Sequence, residues 1–198
     1  AIATPGISFV GFPMSLSETF QLKNTGASCA AALIRLENIR SILSPTKIQL
    51  VVYLSMGFGN PYGDEWSPSL LMDWIGTTSE RIGPSVIALS DTVGNASPQT
   101  IEDAFKMAYG AFPKARLGAH LHATPWEIDE KIQAAWRAGC RRFDGALRGI
   151  GGCPMAQDEL VGNLPTEKLL DYFLEKKAFS VNERAWNQAQ SLAVDLFA

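Results

Sequence analysis

The sequence holds two histidines, and both lie in Gly118-Ala119-His120-Leu121-His122-Ala123, at the carboxyl end of a segment, Leu117 to Leu121, that reads as a β-strand. Alternate residues of a strand face one side, so His120 and His122 point together while Leu121 points to the opposite face. Two imidazoles on one face are what two-point ligation of a divalent ion requires. The rival reading is a pair of core or surface histidines satisfied by hydrogen bonds. Position favours ligation, because active sites of strand-helix folds gather at the carboxyl ends of the strands.

A second constellation, Arg148-Gly149-Ile150-Gly151-Gly152-Cys153-Pro154-Met155-Ala156, follows the last predicted strand. Its glycines let the backbone approach a ligand closely and place the Cys153 thiol on a loop, where a tuned thiol can move a proton. The alternative is a flexible turn with an incidental cysteine. Ser90-Asp91-Thr92-Val93-Gly94 offers a carboxylate and a hydroxyl at the same rim. Gly162-Asn163-Leu164-Pro165-Thr166-Glu167 sets an amide and a carboxylate at a helix start, where Thr166 and Glu167, taken alone, read as a cap. Met56-Gly57-Phe58-Gly59-Asn60-Pro61-Tyr62-Gly63 lacks the lysine of a phosphate-binding loop and the spacing of a dinucleotide fingerprint, and reads as a rim loop shaping a pocket. The five tryptophans show no cofactor spacing, and packing is their default role.

The elements that must position these residues alternate in type. Strands are predicted over Ile7 to Gly11, Leu50 to Ser55, Val86 to Ser90, Leu117 to Leu121 and Phe143 to Leu147. Between them, Ser28 to Leu43 carries leucines at helical intervals, and Ser67-Pro68 and Ser97-Pro98 read as caps with proline in the first turn, opening helices over Pro68 to Arg81 and Pro98 to Phe112. Thr124-Pro125-Trp126-Glu127 repeats the start signal, Gly139 closes that helix, and Pro165 to Lys176 and Asn182 to Phe197 make two more. Strand then helix, repeated, is the pattern of βαβ units on a parallel sheet, in a barrel or an open doubly wound sheet. A (β/α)8 barrel has eight such units and this chain shows five, beginning almost at Ala1 without an initiator methionine. Five strands would leave open edges, so the sequence predicts further barrel units ahead of Ala1.

Composition narrows the function classes. At 198 residues, 46% hydrophobic and 19% charged, the chain can bury a sizeable core as a single domain. A net charge of -3 and the lack of a basic, aromatic-interleaved stripe argue against nucleic acid. Apolar runs such as Ile48 to Met56 are too short to span a bilayer. Cys29, Cys140 and Cys153 are odd in number and far apart, which fits neither a disulfide framework nor a zinc knuckle and points to a reducing, cytoplasm-like compartment, a mitochondrial one being left open.

Taken together and in this order, Phe58-Gly59-Asn60-Pro61-Tyr62, Ser90-Asp91-Thr92-Val93-Gly94, His120-Leu121-His122, Gly151-Gly152-Cys153-Pro154 and Gly162-Asn163 with Thr166-Glu167 resemble the 3-hydroxy-3-methylglutaryl-CoA lyases, from about Ile7 to Glu175. The histidine pair is shared with related aldolases and acyl-CoA-using synthases, whereas the GGCP loop is more particular to the lyases. The resemblance implies a TIM (β/α)8 barrel, with about the last five β/α units present in this chain. It implies His120, His122 and Asn163 as ligands of a divalent cation, Mg2+ or Mn2+, Cys153 as a catalytic thiol, and His120 as a second proton carrier. It also implies Asp91, Thr92, Glu167 and Asn24 at the substrate pocket, an acyl-CoA substrate and a possible homodimer. Two departures stand out: no Arg-Asp pair, the family's source of a metal-ligating aspartate and an enolate-binding arginine, closes a first strand here, and Ala123 stands where the family has aspartate. An aldolase or condensing acyltransferase of the same superfamily, or a non-catalytic acyl-CoA-binding relative, are the rival readings.

Overall fold

A computed structural model of the protein describes residues 1–152 and 161–197. Its elements are β1 (Phe9–Ser15), α1 (Glu18–Thr25), α2 (Cys29–Leu43), β2 (Gln49–Ser55), α3 (Pro68–Arg81), β3 (Val86–Asp91), α4 (Pro98–Ala111), β4 (Leu117–Ala123), α5 (Ile128–Arg137), β5 (Gly162–Asn163), α6 (Thr166–Glu175) and α7 (Glu183–Leu196). The sheet runs β1-β2-β3-β4-β5, with β1 to β4 parallel and β5 antiparallel to β4. Parallel strands joined in sequence through helices make this an arc of a TIM-type (β/α)8 barrel. Among the described residues no helix is long and apolar enough to cross a membrane.

The helix starts obey the local chemistry of their caps. Ser28, Ser67, Ser97 and Asn182 each accept, through the side chain, a backbone N–H of the first turn, and Pro68 and Pro98 follow two of those serines. Helix α1 is an element that periodicity does not predict. It is built from its ends: Ser17 caps it by accepting from Phe20 N, and Gly26 stops it in the left-handed region at φ 67°. Only Phe20 and Gln21 are buried in it, so no apolar stripe marks it in the sequence.

The strand predicted over Phe143 to Leu147 is a correction. A single bridge joins Ala119 and Phe143, with Ala119 N–H donating to Arg142 O at 2.8 Å and Asp144 N–H to Ala119 O at 3.0 Å. A second isolated parallel bridge joins Ala146 and Pro165 on the other edge, where Ala146 N donates to Leu164 O at 3.0 Å and Thr166 N donates to Ala146 O at 2.9 Å, so the predicted strand is reduced to one bridge on each side. Gly145 permits this close approach, since a Cβ there would lie 2.6 Å from Leu169 Cδ1 and 2.8 Å from Leu164 O. A short 3-10 turn, Leu147–Gly149, follows.

The two faces of the sheet differ in kind. Ile87, Leu89, Leu121 and Ala123 point into the large core shared with the helices, while the inner face holds a small cluster of Val51, Val86 and Ala88 with Tyr53 against it. By strand alternation His120 and His122 belong to the inner face and Asp91, in register with Leu121, belongs to the helix side.

Candidate active site

The histidine pair lies as strand alternation requires. The rings of His120 and His122 are 5.2 Å apart between centroids, edge to face. Their settings differ. His120 stands at the wall of a cavity of about 970 Å³, beside Tyr53 and Asp144, with Arg142, Asn163 and Phe173 further round the lining. Its Nδ1 lies 3.4 Å from Asp144 Oδ2, a long contact without good hydrogen-bond geometry, so the carboxylate restrains the ring only weakly. Asp144 is held by Arg142 at 3.0 and 3.1 Å. Burial pushes the Asp144 carboxyl up, but His120 and Arg142 outweigh it and bring the net shift down.

His122 is pinned and buried, with 5% of its surface exposed. Its Nδ1 is 2.9 Å from the main-chain oxygen of Asp91. A carbonyl only accepts, so Nδ1 carries the proton and Nε2 keeps a lone pair, the state a metal ligand needs. Burial lowers the His122 pKa to about 4, which holds the ring neutral at physiological pH. Because the folded value lies below the ordinary 6.5, the unfolded chain binds the extra proton between the two. The contribution of His122 to the stability of the metal-free protein is therefore expected to be level above pH 6.5 and to fall as pH drops from 6.5 towards 4. The loss is on the order of 3 kcal/mol at about 1.4 kcal/mol per unit. Urea denaturation of the wild type and a His122→Asn variant across that range isolates it as the difference in slope, and equal slopes would refute the assignment.

Asn163 arrives from β5. It is in register with His122, and residues directly opposite in an antiparallel pair project to the same face. Its Nδ2 donates to Ile150 O at 2.9 Å, which leaves the amide oxygen as the donor group available to a cation. Its main-chain N–H donates to Gly151 O at 3.4 Å, so Asn163 also anchors the glycine loop. Gly151 and Gly152 have φ of 86° and 147°, conformations that side-chain-bearing residues rarely adopt, and a Cβ on Gly152 would sit 3.8 Å from His122 Cδ2. The loop thus passes against the histidine pair. Cys153, the predicted catalytic thiol, lies outside the described residues. Among the described residues no three His, Cys, Asp or Glu side chains converge as a metal site. The donor groups gathered on this face are two imidazoles and an amide oxygen, types that divalent ions accept.

The other predicted site residues take up different positions. Asp91 is 1% exposed and its carboxylate meets Lys131 Nζ at 3.0 Å on the helix side of the sheet, so its side chain is turned away from the inner face. Burial pushes the Asp91 carboxyl up, opposed by Lys131 and by the Ala96 amide. Thr92 Oγ1 accepts from Met56 N at 2.7 Å and ties the end of β3 to the turn after β2. Glu167 accepts the Arg148 N–H on both carboxylate oxygens at 3.0 Å, holding the left-handed Arg148 (φ 59°) at the entry to the glycine loop. Asn24 lies exposed in the last turn of α1, not on a strand rim. The rim loop after β2 is braced from within and without. Asn60 Oδ1 accepts from Tyr62 N and Asp64 N, and Asp64 accepts from Ser17 Oγ at 2.5 Å and from Thr19 N at 2.9 Å.

Two residues that sequence reasoning did not single out belong to the site. Asp144 stands next to His120, one residue past the isolated bridge at Phe143. Lys131 is wholly buried, and the signal for it was present: it falls within the apolar stripe of α5 formed by Ile128, Ile132 and Ala135.

Residues 10–188 match the HMGL-like family. Hydroxymethylglutaryl-CoA lyase YngG of Bacillus subtilis is 30% identical over 172 residues, 85% of this chain and 56% of that protein. The (R)-citramalyl-CoA lyase of Chloroflexus aurantiacus is 30% identical over 171 residues, 86% of this chain and 53% of that protein. The crystal structure of the HMG-CoA lyase of B. subtilis superposes with a TM-score of 0.83 at 28% identity, covering 96% of this chain and 64% of that one. The chain spans about half the length of the curated relatives it matches. With the barrel arc, the motif order and these matches in agreement, the chain belongs to the HMGL-like family.

Proposed function

We propose that the protein is a carbon–carbon lyase that cleaves 3-hydroxy-3-methylglutaryl-CoA, or a close 3-hydroxyacyl-CoA, to acetoacetate and acetyl-CoA by a retro-Claisen reaction. The observation that carries this reading is the pair of inner-face imidazoles with Asn163 in register beside them and the glycine loop against His122. His120, His122 and Asn163 would hold a divalent cation, Mg2+ or Mn2+, which when bound would act as a Lewis acid toward the substrate's hydroxyl and carboxylate oxygens.

The chain's own groups divide the remaining work. His120, unpinned and beside Asp144, is placed to take the proton of the 3-hydroxyl or to relay it. As that proton leaves, the hydroxyl oxygen becomes a carbonyl, the C2–C3 bond breaks and its electron pair stays on the thioester fragment as an enolate. Cys153 gives a proton to that carbanion carbon and completes acetyl-CoA. Closing of the glycine loop would keep water from the enolate. The cavity beside His120 is of the size that takes a small acyl group together with part of its carrier.

The test is a product assay on the full-length protein. With 3-hydroxy-3-methylglutaryl-CoA and Mn2+ or Mg2+, acetoacetate and acetyl-CoA should appear in equal amounts, and EDTA should stop their release. Release of an aldehyde from aldol substrates, with none of these products, would overturn the reading in favour of an aldolase. The equal 30% identity to a citramalyl-CoA lyase supports a second reading in which the acyl chain differs, and pyruvate in place of acetoacetate from citramalyl-CoA would select it.

A further inference from the structure

We infer that Lys131 is a positioning residue that sets the ring of His122 from behind the sheet. The inference rests on the proposed role of His122 as a ligand. Lys131 stands on α5 with no exposed surface, and its ammonium donates to three acceptors: Asp91 Oδ2 at 3.0 Å, Gly94 O at 2.8 Å and His122 O at 3.0 Å. All three of its hydrogens are thus committed, to the end of β3, the turn after it and β4.

These contacts close a circuit through His122. Lys131 grips the main chain of His122 directly and grips the side chain of Asp91, while the main-chain oxygen of Asp91 takes the Nδ1–H of the His122 ring. A shift of Asp91 therefore moves the acceptor that orients the ring. The packing leaves little alternative. Gly94 is in the left-handed region at φ 70°, and a Cβ there would lie 2.6 Å from Val161 Cγ1 and 3.4 Å from His122 O. Backbone is crowded at this point, and three oxygens face one spot inside the protein. Without a cation they repel, and the Asp91 carboxylate is left with main-chain N–H groups, among them Ala96 N at 3.2 and 3.3 Å and that of Asn95, and with no charge to balance its own. The end of β3 must then open toward water and carry the Asp91 carbonyl away from Nδ1. Freed of that bond, the ring can place its proton on Nε2, the state in which Nε2 cannot ligate.

The test uses Lys131→Gln and the double variant Lys131→Met with Asp91→Asn, which leaves no unpaired buried charge and so folds even where the single variant does not. Two readouts are taken: the imidazole nitrogen and proton correlations of His122 by NMR in metal-free protein, and Mn2+ titration. In the wild type His122 should show one tautomer with the proton on Nδ1. In the folded variants it should become a tautomer mixture, with Mn2+ binding weakened roughly 10–100-fold, as for loss of other outer-shell partners of a ligand. A folded variant that keeps the single Nδ1–H tautomer would overturn the role of Lys131. Wild-type protein that binds no Mn2+ would instead overturn the metal reading, and the tautomer, which needs no metal, still decides the case of Lys131.

Discussion

His122→Ala is expected to lose Mn2+ binding by more than the roughly 10–100-fold that removal of an outer-shell partner costs, and turnover should fall with it. His122 is the more rigid of the two imidazoles: it is buried, neutral and fixed by the 2.9 Å bond to the Asp91 carbonyl, so its Nε2 is pre-set. His120 has no such restraint, and its loss should weaken binding less while acting strongly on the proton steps. Mn2+ titration of the two alanine variants, read beside their melting temperatures, measures the difference. Unchanged affinity in the folded His122 variant would return the pair to the status of core histidines. The substitution also removes the bond to Asp91, a loss of about 1 kcal/mol of stability. That is small beside the effect on affinity, so the variant should remain folded.

The second large effect is expected at Cys153. Cys153→Ala should lower kcat by roughly 10²–10⁴, the range of a lost general acid, with Mn2+ affinity retained. Arg148, Gly149, Gly151 and Gly152 all have positive φ, and a Cβ on Gly152, the residue before Cys153 in the sequence, would lie 3.8 Å from His122 Cδ2. A thiol following at that point can protonate a carbanion formed nearby without holding the cation, which separates its phenotype from that of the histidines. Single-turnover measurement of acetyl-CoA formation, with substrate pre-bound, isolates this step. Full activity in the alanine variant would remove Cys153 from the mechanism.

Much of this protein was legible along the chain. The caps at Ser28, Ser67, Ser97 and Asn182 act within three residues of themselves, so short sequences determine where α2, α3, α4 and α7 begin. The parallel strands β2, β3 and β4 are buried apolar runs between those helices, and alternation along β4 was enough to put His120 and His122 on one face. The motif order likewise carried the family, since it depends on residue identity and not on contacts.

What the sequence left open depended on which distant backbone a residue meets. The predicted fifth strand is reduced to two isolated parallel bridges, at Phe143 and Ala146, with Leu164 and Leu169 packed close against Gly145 between them. Helix α1 escapes prediction because its ends define it rather than a stripe. The carboxylates of Asp91 and Glu167, expected at the substrate pocket, serve Lys131 and the Arg148 N–H, pairings made across 40 and 19 residues. Lys131 shows the division most sharply. The stripe of Ile128, Ile132 and Ala135 marks Lys131 as inward-facing, but the convergence of three oxygens, from Asp91, Gly94 and His122, on its side of α5 is what makes a buried cation the stable choice there. The sequence by itself determined the family and the strand face that His120 and His122 share. The tertiary structure decided which of the predicted site residues face the inner side of the sheet and which hold the others in place, because a side chain's partners are set by packing between elements that local sequence does not encode.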